Sequence, residues 1–235
     1  MSPLLKTGAA FGLASLSLTA LPAAQAQIAN PTFYFGNIQQ DQDVTLFTFV
    51  VTTSGSVSMY TTSYEGGLNV NGTTTSPGGY DPVLSLFDNA GNFISENDNS
   101  SASGPADPVT GSRYDAKLEA VLTPGTYKLA LTEFDNFSKA SPTNGTGASN
   151  LSAGFTQQGN GNFTTAFNTG SNTFPSFVDQ NGFERKNNYT INLVNSPEVN
   201  PAVPEASTTV SFGLLLALGL GSTVIAARKK ARASA

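Results

Sequence analysis

Carboxylates and amides gathered in turns are the side chains of this sequence best suited to chemistry. Asp41 and Asp43, then Asp81, Asp88, Asn97 with Asp98, and Asp115 all stand in or beside stretches rich in Gly, Asn, Ser or Pro. Ca2+ takes about six to eight oxygens from carboxylates, amides and backbone carbonyls in bent loops. The pattern predicts one structural Ca2+ joining Asp43, Asp81 and Asp98 or their neighbours, with Asp88 and Asp115 as further candidate ligands. The spacing is not that of an EF-hand, since the stretch 88–92 lacks alternating ligands and a Glu at the twelfth position. Asp and Asn also hold turns by accepting hydrogen bonds from backbone N–H groups, so a purely structural role stays open beside the metal.

Glu133 and Asp135 form a second carboxylate pair. Two carboxyls flanking a sugar can hydrolyse a glycosidic bond at about 5–9.5 Å separation. The chain has no Trp platform, no His general base and no Cys nucleophile, and no G-x-S-x-G occurs. A non-enzymatic protein is therefore expected. Tyr60, Tyr64 and Tyr80 flank loops and suit stacking on sugar rings, which gives an alternative reading as a calcium-assisted glycan-binding module or adhesin. Asn71, Asn136, Asn144, Asn162 and Asn188 open Asn-x-Ser/Thr tripeptides.

Charge narrows the partners. Fifteen acidic side chains oppose six basic ones between Gln27 and Ala202. Such a body repels nucleic acid and attracts cations. Without Cys the fold is held by packing, or by packing with bound ions.

The elements that must position these groups read as strands and turns. Only 11 % of residues are charged, and Gly, Asn, Ser and Thr abound, which disfavours long helices. Residues 44–53 are β-branched and aromatic with little polar alternation, predicting a strand covered on both faces. With residues 56–61, where Val57 and Met59 share a face, they make a hairpin candidate across Ser54-Gly55. Residues 82–88 resume as a strand with Leu84 and Leu86 on one face, turn at Asn89-Ala90-Gly91-Asn92, and return through 93–96. Residues 114–122 are extended or partly helical. After Pro124-Gly125, residues 126–134 alternate with Tyr127, Leu129 and Leu131 inward. Tyr189, Ile191 and Leu193 mark a last strand. The segment 136–188 is long for a loop, and its Phe residues predict that it packs on the sandwich. The expected fold is all-β, a two-sheet β-sandwich of jelly-roll type.

Both ends read as addresses. Lys6, the apolar residues 9–20, Pro22 and the Ala24-Gln25-Ala26 step predict a signal helix cut after Ala26. At the other end, Val203-Pro204-Glu205 precedes an apolar run and the cluster Arg228-Lys229-Lys230. About eighteen apolar residues just cross a hydrocarbon core of ~30 Å. The predicted division is 1–26 signal peptide, 27–194 sandwich, 195–207 Pro-rich linker with the motif, 208–227 transmembrane helix and 228–235 basic tail.

Pro204-Glu205, the apolar helix and the basic cluster together resemble the PEP-CTERM sorting signal of Gram-negative bacteria, with Ala206 where that signal usually has a second Pro. The resemblance implies processing by an exosortase and transient residence in the inner membrane. Delivery to the outer surface or extracellular matrix, in company with exopolysaccharide or biofilm, would follow. The body has its own likeness. Asp43-Val44-Thr45-Leu46-Phe47, Tyr80-Asp81-Pro82-Val83-Leu84-Ser85-Leu86-Phe87-Asp88, Asn97-Asp98, Tyr114-Asp115-Ala116 and Pro124-Gly125-Thr126-Tyr127 recur in order. This resembles the bacterial pre-peptidase C-terminal domain over roughly residues 33–137, which implies a jelly-roll-like sandwich with a non-catalytic role outside the cell.

Overall fold

The computed structural model describes residues 27–28, 32–99, 106–171 and 173–195. The signal segment to Ala26, the Val203-Pro204-Glu205 motif, the apolar run 208–227 and Arg228 to Lys230 lie outside the described residues. Among the described residues no helix is long and apolar enough to cross a membrane.

The described chain is all-β, with eleven strands and two 3-10 turns at Leu151–Ala153 and Phe163–Phe167. One antiparallel sheet runs β1(Gln27–Ile28), β3(Thr45–Thr53), β10(Gly125–Glu133), β7(Pro82–Asp88), β8(Phe93–Asn97). The second runs β2(Thr32–Asn37), β11(Asn188–Asn195), β4(Gly55–Thr61), β9(Lys117–Leu122). A short ribbon, β5(Gly67–Leu68) with β6(Thr74–Thr75), stands apart from both. From β2 to β11 the chain passes from one sheet to the other at almost every step. Within these two sheets, only β7 and β8 are consecutive neighbours among the described strands.

Alternation sets which face is buried. Phe47, Phe49 and Val51 of β3, Leu84 and Leu86 of β7, and Tyr127, Leu129 and Leu131 of β10 face inward. They meet Val57 and Met59 of β4, Leu118 and Leu122 of β9, and Ile191 and Leu193 of β11 in one core between the sheets. Each fully buried Leu, Val or Met adds about 1.5–3 kcal/mol before chain entropy is subtracted. A second cluster lies on the opposite face of the five-stranded sheet, where Phe155 and Ala140 from the long segment cover Phe87 and Ala130. Phe177 reaches the main core. The Phe-rich stretch therefore packs on the sandwich as expected.

Two expectations are corrected. β3 and β4 do not pair as a hairpin, because the chain turns a corner at Ser54 and places them in opposite sheets. β3 is not covered on both faces, since Leu46 and Val50 are 52 % and 45 % exposed. The cluster under Phe155 stops short of them, so β-branched character alone misread the outer face. Of the two conformations left open for residues 114–122, Lys117–Leu122 takes the extended one, as strand β9.

Candidate functional site

Of the five candidate calcium ligands, Asp43, Asp88 and Asp115 are taken up by hydrogen bonds in turns. Asp43 Oδ2 accepts from the N–H groups of Gln39 and Gln40, both at 2.8 Å. Asp88 holds its own turn, accepting from the Asn92 backbone at 2.8 Å and the Asn92 amide at 2.7 Å. Those bonds draw its carboxyl below the usual carboxylate range. Asp115 organises the turn after β4. It accepts from Thr61 Oγ1 at 2.7 Å and from the N–H groups of Ser63, Tyr64 and Glu65 at 2.6, 3.1 and 2.9 Å. Asp98 stands in a bend just past β8. Among the described residues no three acidic side chains are grouped to hold a metal ion. Backbone N–H groups thus engage Asp43 and Asp88 in their own turns and Asp115 in the turn after β4, and among the described residues Asp43, Asp81 and Asp98 are not grouped as three metal ligands.

Asp81 behaves differently. It is fully buried, and neither carboxylate oxygen has a hydrogen-bond partner. Glu133 is likewise fully buried with both oxygens unpartnered. Burial pushes the Asp81 carboxyl well up, and the negative charge of Asp98 adds to this. Burial does the same to Glu133, followed by the charge of Asp81. The sequence carried a signal for Glu133 that the paired-carboxylate reading missed. Continuing the inward series Tyr127, Leu129, Leu131 by two residues lands on it. Asp135 does not join Glu133 in a cleft. It lies past the strand end with φ 73°, and its carboxylate accepts from Gln157 at 2.6 Å.

A cationic knot sits nearby. Arg185 grips Asp107 with both Nη atoms, at 3.3 and 3.0 Å, and also donates to the carbonyls of Gly79 and Tyr64. Its guanidinium lies 3.8 Å over the Tyr64 ring. Burial alone would raise the Asp107 carboxyl, but the bonds and charge of Arg185 outweigh it and hold the group low. Tyr64 and Tyr80 are both fully buried, which removes them from the surface where sugar stacking was expected of them. Burial, then the hydrogen bond to Asp179, pushes the Tyr64 hydroxyl well up. Tyr60 is half-buried. Of the glycosylation tripeptides, Asn71, Asn144 and Asn162 are exposed while Asn136 is buried and hydrogen-bonded.

The exposed aromatic surface belongs instead to β2. Tyr34 packs on the core, so Phe33 and Phe35 point outward. Their rings stack at 5.8 Å with an interplanar angle of 25°, and Phe35 is 76 % exposed. Register places Phe33 beside Asn192 and Phe35 beside Thr190 of β11, with Tyr60 of β4 beyond Asn192. The β5–β6 ribbon is tied over this face. Val70 N donates to Asn192 Oδ1 at 2.9 Å and Thr62 Oγ1 to Asn69 Oδ1 at 2.7 Å. Between ribbon and rings lies an open groove of about 390 Å3, lined by Phe33, Phe35, Asn69, Asn71, Thr73 to Thr75 and Thr190.

No protein-family model matches this chain. No curated protein matches it. A solved structure, the pre-peptidase C-terminal domain of collagenase from Bacillus anthracis, is similar at 16 % identity and a TM-score of 0.29, over 46 % of this chain and 80 % of that one.

Proposed function

We propose that this is an exported, non-enzymatic surface or extracellular-matrix protein whose sandwich, of jelly-roll type, associates with neutral polysaccharide. One observation carries the reading: an exposed, stacked Phe33–Phe35 pair borders a groove lined otherwise by Asn and Thr. A pyranose ring offers C–H faces to aromatic rings and hydroxyls to amides, and no ionic side chain lines the groove to select a charged sugar. The aromatic role thus passes from Tyr64 and Tyr80 to Phe33 and Phe35, which keeps the glycan-binding alternative alive on a different surface. The full burial of Glu133 favours a non-catalytic role.

Export rests on the sequence of the two ends. The leader to Ala26 sends the body across the inner membrane. The Val203-Pro204-Glu205 motif, the apolar run and Arg228 to Lys230 hand it to an exosortase.

Protein isolated from the native cell provides the test. Mass spectrometry should find Gln27 at the start and no residues 208–235. The same material should bind surface polysaccharide saturably, and Phe35→Ala should weaken binding about tenfold or more without lowering Tm, since loss of an aromatic contact of this size is worth at least ~1.4 kcal/mol. Material that still ends at Ala235, or Phe35→Ala binding like wild type, overturns the respective half of the reading.

A further inference from the structure

Seven carboxylates are buried in the described structure (Asp41, Glu65, Asp81, Asp107, Asp115, Glu133 and Asp179) against one buried cation, Arg185. Arg185 is committed to Asp107. Asp41 is satisfied by the Asn162 and Thr164 N–H groups and the Thr164 hydroxyl. Asp115 caps the turn after β4, and Asp179 takes the Tyr64 hydroxyl and two backbone N–H groups. Glu65 accepts one bond from the Asp115 N–H. Asp81 and Glu133 are left with four oxygens and no partner, and the Asn99 Oδ1, the Tyr80 hydroxyl and single oxygens of Glu65 and Gln42 are also unpartnered. Buried polar atoms are nearly always satisfied in folded proteins, so a group of orphans in one place marks a missing partner.

Three of the residues concerned share one end of a ribbon. Glu133, the last residue of β10, pairs with Pro82, the first of β7. Asp81 immediately precedes Pro82, and its carbonyl accepts from Phe134 N at 2.8 Å. On the other side of β7, Leu84 pairs with Asn97, the last residue of β8, and Asp98 and Asn99 follow in the bend beyond that end. Asp81, Glu133 and Asn99 thus lie at one end of the β10–β7–β8 ribbon. All are hard oxygen donors, two groups are carboxylates, and the chain has no His or Cys. That set suits Ca2+, whose irregular coordination accepts carboxylate, amide, carbonyl and water oxygens together, and it suits zinc poorly.

We propose that Asp81, Glu133 and Asn99 form a structural Ca2+ site that pins the ends of β10, β7 and β8 to one another. Asp98 contributes charge from the adjoining bend. Two side-chain carboxylates neutralise the ion, and backbone carbonyls and water complete its shell. The site stands independently of the polysaccharide groove, which lies on the outer face of the other sheet.

The test uses the purified full-length chain in mild detergent. Tb3+ serves as the optical probe, because the chain has no Trp and Tyr80, next to Asp81, is available to sensitise it. One Ca2+ per chain should displace the sensitised Tb3+. Tm should rise by about 5–10 °C when Ca2+ exceeds its dissociation constant a hundredfold. Asp81→Asn and Glu133→Gln should each lose that rise, while Asp88→Asn keeps it. Should either variant fail to fold, the wild-type stoichiometry and Tm shift decide alone. No bound Ca2+ at millimolar concentration, an equal shift with Mg2+, or an undiminished shift in folded Asp81→Asn and Glu133→Gln would each overturn the site. So would a Tm indifferent to Ca2+ that falls steeply from pH 5 to pH 9, the mark of two protons holding the carboxyls instead.

Discussion

At the scale of single residues, Arg185 shows how position changes the worth of an ion pair. An exposed pair such as Lys117 with Glu119, 2.8 Å apart but well solvated, contributes about 0–1 kcal/mol. Arg185 and Asp107 have side chains only 2 % and 1 % exposed. Water has been stripped from both, so their mutual attraction and the bonds from Arg185 to Gly79 and Tyr64 must offset a large desolvation cost. Removing one partner exposes that cost. Arg185→Met leaves Asp107 as a lone buried carboxylate and should destabilise the fold by about 3–5 kcal/mol, read by urea denaturation. Adding Asp107→Asn removes the stranded charge and should recover part of the loss. If the double variant is no more stable than Arg185→Met, the cost lies in the lost packing over Tyr64 and not in the charge.

At the scale of elements, Gly79 lies where three segments converge. Its N–H donates to the Ser63 carbonyl at 2.9 Å, its carbonyl accepts from Arg185 Nε, and Lys186 N donates to the neighbouring Gly78 carbonyl. A methyl here would sit 2.7 Å from the Ser63 oxygen and 2.8 Å from the Asn188 oxygen, both backbone. Gly79→Ala should cost about 2–3 kcal/mol by differential scanning calorimetry, because the backbone on both sides must move. Gly125→Ala, whose methyl meets nothing closer than 3.7 Å, should stay near wild type. Contacts of this kind explain what the sequence could and could not tell. Strands β7 and β10 were legible because Leu84 and Leu86, then Tyr127, Leu129 and Leu131, alternate cleanly between the turn signals Asn89-Ala90-Gly91-Asn92 and Pro124-Gly125. Strand β2 was not, since Gly36 interrupts it. That gap is filled from β11 by Tyr189, whose hydroxyl would stand 2.6 Å from a Cβ at Gly36. The partner of a strand and the lid over its outer face come from residues far along the chain. So β3 finds its partner in β10, some eighty residues on, and the outward turn of Phe33 and Phe35 is set by the pairing of β2 with β11.

At the scale of the whole molecule, an excess of buried carboxyls fixes the direction in which stability follows pH. Glu65 is pushed up to about 9, by burial first and then by its hydrogen bond and charge contact with Asp115. Asp81 and Glu133 are raised well above the ordinary range. A carboxyl of raised pKa holds its proton more firmly in the folded chain than in the unfolded one, where the value lies near 4. Folding therefore takes up protons between about pH 4.5 and 9, and stability falls as pH rises through that window. The lowered carboxyl of Asp107 acts oppositely, but its contribution is lost only as pH falls below about 4. With chelator present, Tm should then be highest near pH 5 and decline toward pH 9, by up to ~3 °C per pH unit for each such group. Glu65→Gln should flatten the decline with or without Ca2+, because the amide cannot ionise. Added Ca2+ should flatten it separately by compensating Asp81 and Glu133. A Tm that climbs from pH 5 to pH 9 in chelator would show that the buried acids are ionised and paired in the fold, and the charge excess would have to be balanced by a partner other than protons or a cation.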